Sequence, residues 1–139
     1  MRPPAAGVDA GDQALVAIAR EAAASAYAPY SRFRVGAAVR TLAGGVFRGC
    51  NVENASYGLT VCAERSAVFA AVAAEGPGMR LDAVAVFADA RSVPPCGACR
   101  QVIAEFGPEA RVIFRSAGEL MVARADELLP GRFELELRE

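Results

Sequence analysis

Three cysteines and one glutamate stand at spacings that could bind a metal ion and move protons. Cys96 and Cys99 form a C-x-x-C pair, a spacing that lets two thiolates bind one tetrahedral Zn²⁺ at about 2.3 Å. Cys62 offers a third thiolate, which would leave one coordination position open for water. An open fourth position is typical of a catalytic zinc site rather than a structural one. Glu64 follows two residues after Cys62, where it could act on that water.

Each of these residues also has a simpler interpretation. The C-x-x-C pair alone could be a thioredoxin-like redox pair, a structural zinc site or two buried thiols. A redox pair would leave the run Cys62-Ala63-Glu64 unexplained, whereas a glutamate considered alone is more often a first-turn helix charge. Cys50 has no partner at ligand spacing, and we expect it to be a small buried apolar residue.

Composition limits the kinds of chemistry open to this chain. Its 139 residues are 54% hydrophobic, which is enough for one domain with a real core. The formal net charge is −1, without a basic run, so binding to a nucleic-acid backbone is poorly supported. Histidine is absent. Any metal must therefore be held by cysteines and carboxylates, and any proton carrier must be Glu or Asp.

The termini and apolar runs predict a cytoplasmic chain. The first residues lead into no apolar segment typical of a secretory signal, and no apolar run reaches the ~18 residues of a membrane span. In the cytoplasm this cysteine pattern favours metal binding or catalysis over disulfides. We expect one domain over residues 1–139, with a frayed end at 1–8.

The reactive residues need elements that bring them together. Periodicity and turn residues predict the order α-β-β-α-β-α-β-α, a single three-layer α/β/α domain with a mixed sheet covered by helices. The predicted elements are a helix from Asp9 or Asp12 to about Ala26, strands at 33–41 and 46–52 around a turn at 43–45, a helix at 62–74, a strand at 81–88, a helix from Cys96 to Phe106, a strand at 111–115 and a short helix at 126–129.

Both cysteine stretches are predicted to lie where a helix begins. Free N–H groups and a partial positive charge at a helix N-terminus stabilise thiolates. Residues two apart point to nearly opposite sides of a helix, so Cys62 and Glu64 can converge only if Cys62 is the non-helical cap. Arg65, three residues after Cys62, can then return to its sulfur. Because Zn²⁺ with three thiolates carries a formal −1 charge, a cation at that sulfur would favour hydroxide formation.

These motifs resemble a known enzyme family. Cys62-Ala63-Glu64 followed by Pro95-Cys96-x-x-Cys99 is similar to the zinc deaminase signature, with Cys in the first ligand position where His is common. The chain more specifically resembles the small homotetrameric cytidine deaminases of pyrimidine salvage, from about residue 26 to 133. The further matching stretches are Tyr27-Ala28-Pro29-Tyr30-Ser31, Phe33-Arg34-Val35-Gly36-Ala37-Ala38, Gly49-Cys50-Asn51-Val52-Glu53-Asn54-Ala55 and, after the ligand pair, Arg100-Gln101.

The resemblance implies a role for each matching residue. One Zn²⁺ per chain would be bound by Cys62, Cys96 and Cys99, and Glu64 would carry protons from water to N3 of cytosine and to the leaving amine. The implied substrate contacts are Phe33 on the nucleoside, Asn51 and Glu53 on the ribose hydroxyls, and the Ala63 N–H on the pyrimidine carbonyl. Tyr57 and Phe133 would serve the site of a neighbouring subunit, and Arg65 would support the metal ligands. Arg100 is expected to be a surface charge without a role.

Several functions remain open at this stage. The favoured one is hydrolytic deamination of cytidine and deoxycytidine to uridine and deoxyuridine. A related deaminase of another cytosine nucleoside, such as blasticidin S, is the nearest alternative, and editing of a polynucleotide is less favoured because the chain lacks a basic stripe. A structural-zinc interaction module is an alternative from another class. It would need a fourth protein ligand, for which Cys50 is the only spare thiol.

Overall fold

A five-stranded mixed sheet organises the protein, with strand order β2-β1-β3-β4-β5. The computed structural model describes residues 7–137 of the 139. Most of the predicted frayed end at 1–8 lies outside the described residues. The elements are α1 Ala10–Ala23, β1 Val35–Thr41, β2 Val46–Cys50, a 3₁₀ turn Tyr57–Leu59, α2 Ala63–Glu75, β3 Leu81–Ala88, α3 Gly97–Phe106, β4 Arg111–Ser116, β5 Glu119–Arg124 and α4 Ala125–Leu128.

Helices cover both faces of the sheet, which confirms the predicted three-layer α/β/α arrangement. Alternate residues of each strand point to opposite faces. On one face, Leu15 and Ala19 of α1 pack against Ala38, Ala85 and Ile113. On the other face, α2 and α3 pack against the alternate strand residues. This cluster includes the helix residues Ala67, Val68 and Ile103 and the strand residues Val39, Val84 and Val112.

Helix α1 is fixed at its start by a capping box and ends earlier than predicted. The Asp9 side chain accepts from the Asp12 N–H, and Asp12 accepts from the Asp9 N–H in return. The fully buried Asp12 carboxylate also pairs with Arg111 of β4, which joins α1 to the sheet. The helix ends at Ala23 rather than near the predicted Ala26, and the chain continues as the loop that precedes β1.

The second half of the sheet contains a strand that the sequence analysis missed. β5 pairs antiparallel with β4 across a two-residue turn at Ala117 and Gly118, both at positive φ (50° and 86°). Such a turn is usually marked by Asn-Gly or Asp-Gly, and Ala-Gly is a weak signal. The first hairpin agrees with prediction except at two strand ends. β1 begins at Val35 rather than at residue 33, and β2 stops at Cys50 because Val52 only bridges Tyr27 and Val61.

The positions of α3 and α2 bring the two cysteine stretches to one end of the sheet. β3 and β4 run parallel and are joined through α3, whose N-terminus follows the carboxyl end of β3. α2 begins over β2, where its backbone lies directly on Gly49. A Cβ on Gly49 would lie 2.4 Å from the Ala67 nitrogen and 2.7 Å from the Ala63 oxygen. Glycine at this position therefore sets how closely the start of α2 approaches the sheet.

Within residues 7–137, none of the helices combines the length and the apolar character that crossing a membrane requires.

Candidate metal centre and active site

Three thiols converge at the ends of α2 and α3. The Sγ atoms of Cys62, Cys96 and Cys99 all lie within 4.8 Å of one another. Those of Cys96 and Cys99 are 3.4 Å apart, too far for a disulfide, whose sulfurs lie about 2.05 Å apart. Cys99 is buried, Cys62 is half-buried and Cys96 is exposed, so the cluster faces solvent on one side. Cys50 is a half-buried free thiol outside this cluster.

The local backbone explains why these thiols meet. Cys62 is the N-cap of α2 and Cys96 is the N-cap of α3, and both have extended dihedral angles (φ −70°, ψ 155° and φ −69°, ψ 168°). The predicted start of α2 at Cys62 is therefore confirmed. A non-helical cap frees the Cys62 side chain from the helical direction, so Cys62 and Glu64 can line one cavity. Both thiols also lie at the positive end of a helix dipole.

A guanidinium adds positive charge at the cluster. Arg65 Nη2 lies 3.4 Å from Cys62 Sγ and 3.5 Å from the Thr60 carbonyl oxygen. A hydrogen bond from Cys99, together with the contact and charge of Arg65, lowers the pKa of Cys62 to about 5 even though burial opposes ionisation. The same hydrogen bond to Cys62, with burial and the charge of Glu64, raises the pKa of Cys99. Cys62 therefore ionises more readily than Cys99.

The donor set fits a single zinc ion. Two thiolates at about 2.3 Å from one tetrahedral ion lie roughly 3.8 Å apart, and the three sulfurs already lie within 4.8 Å of one another. Thiolates are soft ligands that favour zinc over the hard cations Mg²⁺ and Ca²⁺. Three sulfurs at two helix N-termini could therefore hold one metal ion with one side of the cluster open.

Glu64 lies beside the thiols in the first turn of α2. Its side chain is held inside the protein, and the residue is only 5% exposed. Burial raises the pKa of the Glu64 carboxyl, and negative charge at Cys62 raises it further. Glu64 also lines a cavity of about 280 Å³ whose other lining residues include Cys62 and Cys96. A buried carboxyl at a cavity wall is suited to exchanging protons with a bound molecule.

The cavity collects the candidate substrate residues together with some that sequence reasoning missed. Phe33, Asn51, Glu53 and Ala63 all line it. The missed lining residues are Ser31, Val35, Thr60, Val93 and Pro94. Pro94 could have been inferred from its closeness to Cys96, but Val35 and Thr60 carry no signal that separates them from core or loop residues.

Asn51 and Glu53 also organise the loop that carries Phe33. Asn51 accepts the Val35 N–H at 2.9 Å through Oδ1 and donates to the Phe33 carbonyl at 2.8 Å through Nδ2. Glu53 accepts from the backbone N–H groups of Tyr30 and Ser31. Each side chain therefore fixes one wall of the cavity, while part of its hydrogen-bonding capacity stays available.

The comparison with known proteins decides the family. The model of the cytidine and deoxycytidylate deaminase zinc-binding region matches residues 10–115. The chain belongs to this deaminase family. It is 51% identical over 129 residues to a cytidine deaminase from Halalkalibacterium halodurans, which covers 89% of this chain and 95% of that protein. A blasticidin-S deaminase from Bacillus cereus is 32% identical over 130 residues, covering 88% of this chain and 91% of that protein.

A solved structure from this deaminase family shares the fold. The cytidine deaminase from Burkholderia pseudomallei superposes with a TM-score of 0.81 at 50% identity, covering 87% of this chain and 98% of that one. The likeness extends over almost the whole of that structure. The α/β/α architecture described above is therefore the deaminase fold, as predicted.

Two candidate residues lie away from the cavity of this deaminase chain. Tyr57 is 74% exposed and makes an edge-on ring contact with Tyr30, at 6.1 Å between centroids. Phe133 is 69% exposed, and its carbonyl accepts from Gln101 Nε2 at 3.0 Å. Neither is among the cavity-lining residues. A role at a site would require each to reach a second copy of the chain.

Arg100 is the residue for which the default interpretation was wrong. It is not a free surface charge: its Nε donates to the Pro95 carbonyl at 2.8 Å and its Nη1 to the Leu128 carbonyl at 3.1 Å. These bonds join the segment just before Cys96 to α4. Arg100 thus supports the segment that leads into Cys96.

Proposed function

We propose that this chain catalyses the hydrolytic deamination of cytidine and deoxycytidine, giving uridine or deoxyuridine and ammonia. The observation that carries the proposal is a cluster of three thiols, of which Cys62 and Cys96 line a cavity together with the buried carboxyl of Glu64, while Phe33, Asn51 and Glu53 line the same cavity. The thiols and the carboxyl could activate a metal-bound water, and Phe33, Asn51 and Glu53 could bind a nucleoside. The similarity to cytidine deaminases over most of the chain supports the same reaction.

The metal would be one Zn²⁺ per chain, held by Cys62, Cys96 and Cys99. Bound zinc lowers the pKa of a coordinated water to near 7, which supplies a nucleophile at neutral pH. Arg65 and the two helix N-termini offset the negative charge of the thiolates. Without that compensation, three thiolates would hold so much negative charge that water would resist ionising.

Glu64 would carry the protons of the reaction. Its carboxylate would take a proton from the attacking water and deliver it to N3 of the cytosine ring. It would then take the remaining proton from the hydroxyl on C4 and pass it to the exocyclic amino group, so that ammonia leaves and C4 keeps the oxygen of water as a carbonyl. With no histidine in the chain, Glu64 is the best-placed proton carrier on this wall of the cavity.

The remaining cavity residues would hold the nucleoside. Ala63 is the first residue of α2, so its N–H has no partner within the helix and could donate to the pyrimidine carbonyl. Phe33 would pack on the nucleoside. Asn51 has a second Nδ2 hydrogen, and Glu53 has a free lone pair, so each could bind a ribose hydroxyl in addition to its loop bonds.

Ultraviolet absorbance of cytidine mixed with purified protein tests the proposal directly. Conversion to uridine should lower the absorbance of the cytosine ring, and ammonia should appear in equal amount. Zinc should be measured on the same preparation. A folded preparation with one zinc per chain that leaves both cytidine and deoxycytidine unchanged would refute the proposal.

Two alternatives can be separated from it. A blasticidin S deaminase would turn over that antibiotic faster than cytidine, so the two substrates should be compared side by side. A structural-zinc module would need a fourth protein ligand. Within the described part of the chain, Cys50 does not join the ligand cluster, which favours the catalytic proposal.

We also propose a homotetramer in which subunits complete one another's sites. Large apolar side chains are strongly exposed in the single chain, including Tyr57, Leu59, Phe69 and Phe133. Exposed aromatic and large apolar side chains of this kind are enriched at subunit interfaces. Sedimentation should show four chains per particle. A fully active monomer would contradict both the tetramer and the roles of Tyr57 and Phe133 at a neighbouring site.

The proposed location is the cytoplasm, where thiols stay reduced. All four cysteines are free in the structure, and the proposed reaction needs three of them as metal ligands. Fractionation of cells that produce the protein should recover its deaminase activity with the cytoplasmic contents. Recovery in a secreted or membrane fraction would contradict the proposed location.

A further inference from the structure

Ser31 stands between two groups that would hold the nucleoside. It lies in the loop before β1 and lines the cavity. Its Oγ donates a hydrogen bond to Glu53 Oε2 and accepts the Phe33 N–H at 3.0 Å. One hydroxyl thus connects the residue proposed to pack on the nucleoside with the carboxylate proposed to bind the ribose.

The Glu53 carboxylate is almost fully committed to this loop. Oε1 accepts the Tyr30 N–H at 2.9 Å and the Ser31 N–H at 3.1 Å, and Oε2 accepts the Ser31 hydroxyl. An ionised carboxylate offers about four acceptor positions, so roughly one remains, on Oε2. Because the Ser31 hydroxyl occupies one lone pair of Oε2, it determines which lone pair stays free and in which direction that lone pair points.

We propose that Ser31 is a positioning residue that sets recognition of the ribose hydroxyls by orienting the Glu53 carboxylate. The inference rests on the proposed function, because it takes a ribose hydroxyl as the partner of the free acceptor position. It adds to that function a residue that need not touch the substrate and yet controls its affinity.

The hydrogen bonds around Glu53 also keep it in the state that an acceptor needs. The hydrogen bond from the Ser31 hydroxyl, with those from the Ser31 and Tyr30 backbone, lowers the pKa of the Glu53 carboxyl, although burial acts against this. The ionised carboxylate can only accept, so it would select a donor such as a sugar hydroxyl.

A comparison of two substrates separates this role from a merely structural one. Ser31→Ala removes the hydroxyl, so Oε2 loses its partner and the Glu53 carboxylate is held only through Oε1. We expect kcat/KM for cytidine to fall about tenfold or more, mainly through KM, as for a lost hydrogen bond to a charged group. For 2′,3′-dideoxycytidine, which lacks both hydroxyls, the fall should be less than about threefold. Any change in Phe33 packing affects both substrates equally and cancels in the ratio.

Matched variants complete the test. Ser25→Ala removes a hydroxyl at an exposed position after α1, and it should change neither substrate. Ser31→Thr keeps a hydroxyl and should recover much of the discrimination. Adding Ser31→Ala to Glu53→Gln should cause little further loss, because the group that Ser31 orients has already changed. If Ser31→Ala cannot be purified folded, Ser31→Cys, a weak donor of similar shape, carries the same comparison.

Equal losses for cytidine and 2′,3′-dideoxycytidine would overturn the proposal, and so would an unchanged rate for both. Fully additive effects of Ser31→Ala and Glu53→Gln would also overturn it. Failure of the proposed function itself would show differently, because the unmodified protein would then not deaminate cytidine at all.

Discussion

Gly49→Ala tests whether the start of α2 must lie directly on the sheet for the site to assemble. The new Cβ would lie 2.4 Å from the Ala67 nitrogen, 2.7 Å from the Ala63 oxygen and 2.8 Å from Ser66 Oγ. Ordinary contacts of this kind are 3.4–4 Å. Two of the three neighbours are helix backbone, which cannot rotate aside as a side chain can.

To relieve this clash, α2 must move by about 1 Å, which is the difference between the 2.4 Å from the Cβ to the Ala67 nitrogen and the shortest ordinary contact of 3.4 Å. Overpacking of this kind typically costs ~1–3 kcal/mol in the free energy of unfolding. The movement would carry Cys62 and Glu64 away from Cys96 and Cys99, which belong to another element. A misplacement of about 1 Å can lower a rate by ~10²-fold, so activity should fall much more than stability.

The assay measures zinc content, thermal stability and cytidine turnover of Gly49→Ala on one preparation. Gly78→Ala is the matched control, because its Cβ would meet nothing within 4 Å and Gly78 lies in the exposed connection between α2 and β3. The control should behave as the unmodified protein. Unchanged turnover and unchanged stability in Gly49→Ala would show that the approach of α2 does not set the geometry of the site.

Three further predictions concern the metal, Arg65 and the buried Asp12. Elemental analysis should find one zinc per chain, and chelation should abolish turnover until zinc is returned; active protein without zinc would contradict the metal site. Arg65→Ala should keep the fold but weaken zinc retention or turnover by ~10–100-fold, and unchanged values would make Arg65 an ordinary helix charge. Asp12→Asn should lower the free energy of unfolding at pH 7 by about 2–4 kcal/mol, because Arg111 loses a buried ionic partner. Burial opposes ionisation of Asp12, but hydrogen bonds from Arg111 and the Asp9 backbone lower its pKa below the usual value. This stabilisation is therefore present above about pH 4 and lost as the pH falls through the folded-state pKa, so chemical denaturation should show a deficit that disappears in acid.

Most of the fold could be predicted because its signals are local. The apolar run at β3, the glycine turn after β1 and the cap at Cys62 each follow from residues within a few positions of one another. β5 was missed because its turn contains Ala-Gly rather than a residue pair that favours positive φ. The end of α1 was placed too late because alanines continue past Ala23, and helix propensity alone does not show where the chain must turn.

The candidate site divides in the same way. The C-x-x-C pair and the cap at Cys62 could be predicted from short stretches, and the meeting of the two stretches was expected from the family resemblance. The bonds of Asn51 and Glu53 to the loop before β1, which lies 16 to 23 residues away in the chain, could not. They depend on the pairing of β1 and β2 and on the path of the loop that precedes them. Arg100 escaped notice for a similar reason, because one of its carbonyl partners, Leu128, is distant in sequence.

Glu64→Gln provides the most direct test of the proposed mechanism. The amide has nearly the same shape as the carboxyl and cannot take a proton, so zinc content, thermal stability and nucleoside binding should be kept. Cytidine turnover should fall by at least the ~10²–10⁴-fold expected for a lost general acid and base. Zinc content and turnover should be measured on the same sample. Retained zinc with full turnover would contradict the role of Glu64 in carrying protons, and loss of zinc would show that Glu64 is a ligand and that the metal site is not open.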